Sequence, residues 1–193
     1  MTGDEKWIYF DNPKPRKTIC DSGQPSTSTP KRNVHEEKAM LCIWWDQKGV
    51  VYHELLKSGQ TVTGDLYREQ IIRLSRALHG KRSEYETRQH KVILLHDNAR
   101  SHVTKLVKET LEALRWEVLP HAAYSPDCAP SDYHLFRSMA HALAEEHFNS
   151  YEDVKKWVSE WIASKDELFF RRGIRLLPER WKKIIANDGQ YFD

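Results

Sequence analysis

The fold is decided by one stretch of sequence, Val92-Ile93-Leu94-Leu95-His96-Asp97-Asn98. Four consecutive apolar residues are typical of a strand that is buried on both faces, as in the centre of an α/β sheet. The run ends abruptly at His96 and Asp97, and open α/β sheets place their ligand sites at the carboxyl ends of such strands. Asp97 is therefore a candidate functional carboxylate. The alternative is that Asp97 and Asn98 only form a turn that caps the next helix.

Three β-rich runs precede this stretch and predict a small antiparallel sheet. Residues 6–10 form an aromatic run, and residues 39–45 are joined to residues 50–56 by a composition typical of a hairpin turn. The helical spacing of apolar residues then predicts a helix over residues 63–79, with Gly80 as its stop.

A helix and a strand are predicted directly after the central stretch. Ser101 is expected to cap the helix, and residues 116–119 form the following strand. A strand, a helix and a second strand in this order imply that the two strands pair in parallel. The expected apolar face of the helix comprises Val103, Leu106, Val107, Thr110 and Leu114.

The rest of the chain is predicted to be mainly helical. One helix begins near Pro130, Ser150 caps another in capping-box fashion, and a last short helix starts near Pro178. The apolar stripes of the first two comprise Leu135, Phe136, Met139, Ala140, Leu143 and Ala144, and then Val154, Trp157, Val158, Trp161 and Ile162. The order of all these elements predicts an α/β, ribonuclease H-like fold, with a mixed sheet of about five strands flanked by helices.

Length and composition favour a single folded domain. The chain has 193 residues, of which 39% are hydrophobic and 30% are charged, and this composition is not that of a disordered segment. No apolar run approaches the ~18 residues of a membrane span, and the N-terminus has no signal-peptide pattern, so we expect an intracellular protein without membrane contact. Cys20, Cys42 and Cys128 form no Cys-x-x-Cys pair and are interpreted as reduced thiols.

Basic residues are clustered, although the formal net charge is only +2. Five basic residues stand against one acid over residues 13–32, and seven stand against three in each of the segments 68–91 and 165–183. Such local excess suits a polyanion such as DNA, and the alternative is a solvated charged surface. Residues 11–38 contain four prolines and few large apolar groups, which predicts a long irregular loop.

Asp132 is a second candidate carboxylate. It lies three and four residues before Leu135 and Phe136, so in a helix that begins near Pro130 its side chain shares the face of the apolar stripe. The alternative is an ordinary first-turn aspartate stabilised by the helix dipole. Asp127 is a rival acid in the same loop.

Asp4 is the third candidate, and it depends on the topology of the sheet. If the first strand lies beside residues 92–95, Asp4 at its entrance becomes a neighbour of Asp97. Converging carboxylates repel one another unless a cation lies between them. Carboxylate oxygens suit Mg²⁺ or Mn²⁺, which bind a few such groups together with water and substrate phosphate.

Three motifs around these acids resemble the mariner family of DNA transposases. They are Thr-Gly-Asp-Glu-Lys-Trp at residues 2–7, His-Asp-Asn-Ala-Arg-Ser-His at residues 96–102, and Tyr-Ser-Pro-Asp-Cys-Ala-Pro-Ser-Asp-Tyr-His-Leu-Phe at residues 124–136. The 34 residues between Asp97 and Asp132 match the spacing of the mariner aspartate triad, which excludes Asp127. Further similarity at residues 44–47, 116–124 and 177–181 extends the resemblance over essentially the whole chain.

The resemblance implies a two-metal phosphoryl transfer on DNA. Asp4 would bridge two Mg²⁺ or Mn²⁺ ions, Asp97 would complete one ion site, and Asp132 would complete the other. The family cuts at the terminal inverted repeats of its element and inserts the 3′ ends at TA dinucleotides, which are easily kinked. The same resemblance implies a homodimer on paired transposon ends with residues 11–38 as a clamp loop, a nuclear location, and no small-molecule cofactor.

Mariner transposases also carry an N-terminal region with two helix-turn-helix modules, and this chain begins three residues before Asp4. We therefore expect one catalytic domain over residues 1–193 without sequence-specific end recognition. A noncatalytic DNA-binding or dimerising remnant is the alternative function, and a ribonuclease H acting on hybrids is a third. His96, His102 and His134 flank the acids and are expected to support them. The spacing of His141, Glu145 and His147 does not fit a zinc site, so we interpret them as a polar helix face.

Overall fold

A computed structural model describes residues 1–13, 37–86, 91–122 and 125–186. Within these ranges the chain has a mixed α/β architecture. Most of the predicted clamp loop, residues 11–38, lies outside the described residues. No helix in the described ranges is both long enough and apolar enough to cross a membrane.

Three antiparallel strands form the first sheet, in the order β1 (Thr2–Tyr9), β2 (Lys38–Asp46) and β3 (Gly49–Leu56). The predicted hairpin of β2 and β3 is confirmed. The first strand starts at Thr2, earlier than predicted, because its pairing with β2 begins there despite the low strand propensity of glycine and acidic residues. Asp4 therefore lies inside β1, opposite Ile43, and not at the entrance of the strand.

A second, two-stranded sheet pairs β4 (Ile93–Leu94) in parallel with β5 (Glu117–Val118), as the strand-helix-strand order predicted. The central strand is shorter than expected, and Ile93 is 43% exposed while Val92, Leu94 and Leu95 are buried. The predicted burial on both faces is therefore confirmed only in part, because Ile93 is exposed on the face that it shares with Leu95.

One bridge connects the two sheets. Thr2 pairs with Leu95 in parallel, and the backbone N–H of Gly3 donates to the carbonyl of Leu95 at 3.0 Å. The described residues thus form sheets of three and two strands joined at this bridge, which corrects the expected single sheet of about five strands. The bridge brings the start of β1 to the carboxyl end of β4, where Asp97 follows.

The helices on one side of the sheet depart from prediction at their ends. α1 (Gly64–Lys81) is capped by the Thr63 side chain, and the predicted stop, Gly80, lies inside it. A short helix, α2 (Ser83–Glu86), follows, and it was not predicted. α3 (Lys105–Ala113) is capped by Thr104 instead of Ser101 and starts later than predicted. Two residues of the predicted apolar face are exposed, Val103 before the helix and Leu106 within it.

The chain then makes a 3₁₀ turn (Pro126–Cys128) and a π-helical turn (Ser131–Phe136), which leads into α4 (Arg137–Leu143). α5 (Tyr151–Ala163) begins after Ser150, whose side chain accepts from the backbone N–H of Asp153, and this cap was predicted. α6 (Glu167–Arg175) was not predicted, and α7 (Leu177–Ala186) covers the helix expected near Pro178.

The two faces of β2 bury two separate cores. Leu41, Ile43 and Trp45 belong to the core that contains the π-helical turn, α5 and α6, and this core is called the π-turn side. Cys42 and Trp44 belong to the core with α1 and α3, which is called the α1 side. Because side chains alternate along a strand and paired residues share a face, Asp4 lies on the π-turn side with Ile43, and Glu5 lies on the α1 side with Cys42.

Candidate active site

Asp4 projects from β1 toward the π-helical turn and is half-buried. Its Oδ1 accepts a hydrogen bond of 2.7 Å from the backbone N–H of Glu5. Burial raises the pKa of Asp4 well above its ordinary value, and repulsion from Asp132 and Glu5 raises it further. The carboxyl group is thus held in a place that disfavours its negative charge.

Asp132 comes to the same place from the π-helical turn. The charge of Asp132 raises the pKa of Asp4, and the side-chain interaction with Asp4 works to lower the pKa of Asp132, so the two carboxyl groups are neighbours. Burial raises the pKa of Asp132, and the positive charge of Lys6 opposes the rise. The structure therefore brings together Asp4 and Asp132, which are remote in sequence.

Packing around Asp132 fixes its position. Trp45 Nε1 donates to Ser131 Oγ at 3.1 Å, Tyr133 Oη donates to the carbonyl of Gly173 at 2.7 Å, and His134 Nε2 lies 2.8 Å from the carbonyl of Phe169. The residues on both sides of Asp132 are thus attached to β2 and α6. This support from α6 was not expected from the sequence analysis, because that helix was not predicted.

Asp97 follows β4 on the loop toward α3. Its Oδ1 lies 2.7 Å from His102 Nδ1 and accepts a hydrogen bond of 2.9 Å from the backbone N–H of Ala99. The hydrogen bond from His102 holds the pKa of Asp97 below its ordinary value and outweighs the opposing effect of burial. Unlike Asp4, Asp97 has partners that stabilise its negative charge.

His102 connects Asp97 to β1. Its Nε2 lies 3.3 Å from Glu5 Oε1, and its ring stacks on Tyr67 with 3.9 Å between ring centroids. Burial alone would lower the pKa of His102, but the contacts with Asp97 and Glu5 raise it to about 10. The sequence suggested a supporting role for His102 but missed Glu5 and Tyr67. The adjacency of Glu5 to Asp4 was the only available signal for the first of them.

His96 and Lys6 complete the surroundings of the three aspartates. The ring of His96 is parallel to that of His102, with an interplanar angle of 2°, and Tyr67 Oη lies 2.7 Å from His96 Nδ1. Burial and the neighbouring His102 lower the pKa of His96 to about 4. Lys6 is close enough to Asp132 and Asp4 that their charges oppose the lowering of its pKa by burial.

The carboxylates interact without forming a compact ligand set. Asp97 repels both Asp4 and Asp132 and raises their pKa values, so all three lie within electrostatic reach of one another. Within residues 1–13, 37–86, 91–122 and 125–186, no three His, Cys, Asp or Glu side chains are arranged as a metal-ligand group. The chemistry of the donors nonetheless fits a hard divalent cation, because a cation would relieve the repulsion that raises the pKa of Asp4.

Comparison with known proteins identifies the family. The family described as Transposase (partial DDE domain) matches residues 9–88. The Mariner Mos1 transposase of Drosophila mauritiana is 62% identical over 193 residues, which is 100% of this chain and 56% of that protein. The crystal structure of the catalytic domain of Mos1 mariner transposase matches with a TM-score of 0.85 and 58% identity, over 100% of this chain and 83% of that chain. This chain belongs to the mariner transposase family.

A further mariner structure, the Mos1 mariner paired end complex with Mn, matches with a TM-score of 0.88 and 62% identity. The match covers 100% of this chain and 56% of that chain. The chain thus spans about half the length of the curated mariner relative, 56%. Its mixed α/β fold is that of the Mos1 catalytic domain, and the cluster of Asp4, Asp97 and Asp132 is the candidate active site of this mariner domain.

Proposed function

We propose that this chain is the catalytic domain of a mariner-type cut-and-paste transposase, which cleaves DNA strands and joins the freed 3′ ends to TA sites. The observation that carries the proposal is the pairing of Asp4 with Asp132 beside Asp97, in a chain 58% identical to the Mos1 catalytic domain. A pair of partly buried acids lowers the stability of the fold, and groups with such perturbed pKa values occur preferentially at functional sites.

Asp4, Asp97 and Asp132 are the residues that would hold two Mg²⁺ or Mn²⁺ ions, with Asp4 as the shared ligand. When bound, two such ions supply an activated water or 3′-hydroxyl and stabilise the departing 3′-oxygen of the scissile strand. The matched Mos1 paired end complex with Mn supports this choice of metal. Asp4 must be ionised to act as a ligand, although its pKa is raised. A nearby cation lowers the pKa of a carboxyl group and so favours the ionised form.

Positive groups of the chain itself can orient the DNA at this site. Lys6 lies beside Asp132 and Asp4, and its ammonium is placed to attract a phosphate that approaches the acids. Arg172, an exposed residue of α6, is close to His134, whose pKa is lowered by burial and by the arginine's charge. Together they provide positive charge on the π-turn side for the backbone of a bound strand.

The finer parts of the proposal rest on topology and on the family. The bridge between Thr2 and Leu95 gives the strand order β3-β2-β1-β4-β5, which supports a ribonuclease H-like fold. A homodimer that holds paired transposon ends, with residues 11–38 as its clamp loop, follows from the resemblance to the Mos1 paired end complex. A DNA transposase of this kind would act in the nucleus.

Nicking of supercoiled plasmid in Mn²⁺ tests the proposed function. The 193-residue chain should convert supercoiled DNA to nicked circles, and Asp97→Ala should abolish the reaction. Asp127→Ala is the matched control, because Asp127 lies in the neighbouring 3₁₀ turn and contacts Arg180 instead of the candidate site. The control should nick at close to the parent rate.

The alternative is a noncatalytic DNA-binding or dimerising remnant, and it is favoured by the lack of a compact metal-ligand group in the part of the chain that the structure describes. Retarded migration of the plasmid without nicking would support this alternative. Cleavage of an RNA–DNA hybrid in preference to duplex DNA would instead indicate a ribonuclease H. Nicking that survives in Asp97→Ala rules out the proposed role of the triad.

A further inference from the structure

The first strand presents two successive acids to opposite sides of the sheet. Asp4 lies on the π-turn side, where it pairs with Asp132. Glu5 lies on the α1 side, where its carboxylate contacts His102 Nε2 at 3.3 Å. One strand therefore reaches each of the other two aspartates, Asp132 directly and Asp97 through an imidazole.

The imidazole of His102 occupies a tightly defined place. It is 2% exposed, and both of its nitrogens face carboxylates, at 2.7 Å from Asp97 Oδ1 and 3.3 Å from Glu5 Oε1. Its ring stacks on Tyr67, and the parallel ring of His96 lies beside it with 5.2 Å between ring centroids. Carboxylates at both nitrogens and a stacked tyrosine ring hold the imidazole in one orientation.

These contacts also determine which oxygen of Asp97 is available. Oδ1 is engaged by His102 and by the backbone N–H of Ala99 at 2.9 Å. Oδ2 accepts no hydrogen bond from any residue that the structure describes, and the Asp97 side chain is 47% exposed. The contacts therefore engage one oxygen of Asp97 and leave the other without a hydrogen bond from the described residues.

We propose that Glu5 and His102 form a positioning pair that holds Asp97 in a fixed orientation for a divalent metal ion, so that Oδ2 is its metal-binding atom. The inference deepens the proposed function and rests on it. Histidines and carboxylates that contact metal ligands typically contribute ~10–100-fold to metal affinity, because they fix the orientation of the ligand. Neither Glu5 nor His102 binds the ion itself.

Two amide substitutions at position 102 distinguish the contact of the imidazole with Asp97 from its contact with Glu5. In His102→Asn the side-chain amide is placed near the position of Nδ1 and retains a donor toward Asp97. In His102→Gln the amide reaches the position of Nε2 and retains a donor toward Glu5 only. His141→Gln, at an exposed residue of α4, is the control for loss of a histidine elsewhere.

Mn²⁺ binding to the DNA-free chain, measured by isothermal titration calorimetry, is the primary readout. We expect His102→Gln to bind Mn²⁺ roughly 10-fold or more weakly than the parent. The Mn²⁺ affinities of His102→Asn and Glu5→Gln should lie between those of the parent and His102→Gln. The affinity of His141→Gln should equal that of the parent. In plasmid nicking, higher Mn²⁺ should restore the rate of His102→Gln but not that of Asp97→Ala. Circular dichroism identifies any variant that fails to fold. If His102→Gln fails to fold, the Mn²⁺ affinity of Glu5→Gln relative to the parent decides the proposal, because this substitution keeps the backbone pairing of residue 5 with β2.

The failure of this inference is distinguishable from that of the proposed function. Equal Mn²⁺ affinities of the parent, His102→Gln and Glu5→Gln overturn the positioning role, even if Asp97→Ala abolishes nicking and the proposed function stands. Nicking that persists in Asp97→Ala overturns the proposed function, and the calorimetric titration still decides the role of His102. Equal effects of His102→Asn and His102→Gln would also overturn the inference, because only one of these amides retains the donor toward Asp97.

Discussion

Two clusters of side chains surround partly buried carboxylates in this protein, and they act on the negative charge in opposite ways. In the candidate site, Asp4 and Asp132 pair with each other, and burial and mutual repulsion raise the pKa of Asp4. On β3, Glu54 is hydrogen-bonded by Tyr52, Gln70 and Arg73, with 2.5 Å between Arg73 Nε and Glu54 Oε1. Burial works to raise the pKa of Glu54, but these donors outweigh it and hold the pKa below its ordinary value.

The difference indicates which cluster serves folding and which serves chemistry. Glu54 contributes to the attachment of β3 to α1, because every donor around it favours the folded state. The Asp4–Asp132 pair lowers stability unless a cation binds, and packing of α6 against the π-helical turn keeps the two acids together. A site of this kind uses the stability of the surrounding fold to hold ligands ready for a metal ion.

The largest expected effect comes from changing one acid to its amide in each cluster. Asp4→Asn should reduce Mn²⁺-dependent nicking by roughly 10³-fold, since loss of a shared metal ligand removes several kcal/mol of transition-state stabilisation. Glu54→Gln should leave the nicking rate within about threefold of the parent, because its cluster lies apart from the three aspartates. Plasmid nicking at a temperature where both variants are folded makes the comparison.

The same two variants should change stability in opposite directions. In EDTA, Asp4→Asn should raise the free energy of unfolding by about 1 kcal/mol, because the amide can donate to Asp132 and its Oδ1 still accepts from Glu5. Glu54→Gln should lower it by about 1 kcal/mol through weaker bonds to Arg73 and Gln70. Urea denaturation measures both values, and a destabilised Asp4→Asn protein would contradict the assignment of Asp4 and Asp132 as an unfavourable pair.

The next largest effect concerns the packing that holds Asp132 in place. A Cβ added at Gly173 of α6 would lie 2.5 Å from His134 Cδ2 and 2.8 Å from Trp45 Cη2. His134 is held by its contact with the carbonyl of Phe169, and Trp45 is fully buried, so neither ring can easily move. Gly173→Ala should therefore lower the free energy of unfolding by about 1–3 kcal/mol.

Gly80→Ala in α1 provides the matched control, because a Cβ added there meets nothing within 4 Å. A helical glycine in open space costs roughly 0.5–1 kcal/mol relative to alanine, so this variant should be stabilised. Thermal unfolding of the two variants decides the matter. If Gly173→Ala were as stable as Gly80→Ala, α6 would not constrain the turn that carries Asp132.

Sequence reasoning identified the parts of the fold that depend on local patterns. The β2–β3 hairpin, the Ser150 cap and the apolar stripe of α5 were all predicted, because turn composition, capping and periodicity are properties of neighbouring residues. α6 was missed, since its short segment has one buried phenylalanine, Phe170, and one buried glycine, Gly173. The full burial of β4 was overestimated because its run of apolar residues does not specify whether both faces are covered.

The candidate aspartates were named from sequence, but their surroundings were not. Motif resemblance indicated Asp4, Asp97 and Asp132, whereas only tertiary structure places Glu5 beside His102 or Tyr133 against Gly173. These contacts join residues 97 and 40 positions apart in the chain. Periodicity and capping patterns carry no information at such separations, so the supporting residues required the structure.

The smallest expected effect is the pH dependence that distinguishes the two clusters. The pKa of Glu54 is lowered from its ordinary value of 4.5, so its contribution to stability is present above pH 4.5 and is lost as the pH falls through the folded-state pKa. The pKa of Asp4 is raised from 3.8, so its unfavourable contribution appears as the pH rises above that value.

In EDTA, the stability difference between the parent and Glu54→Gln should therefore shrink by less than about 1 kcal/mol as the pH falls below 4.5. The difference between Asp4→Asn and the parent should instead grow as the pH rises from 4 toward 7, because the parent alone must then ionise both acids of its pair. Urea denaturation at several pH values measures both differences. If the two stability differences changed with pH in the same direction, the two clusters would not have the opposite electrostatic character that their partners indicate.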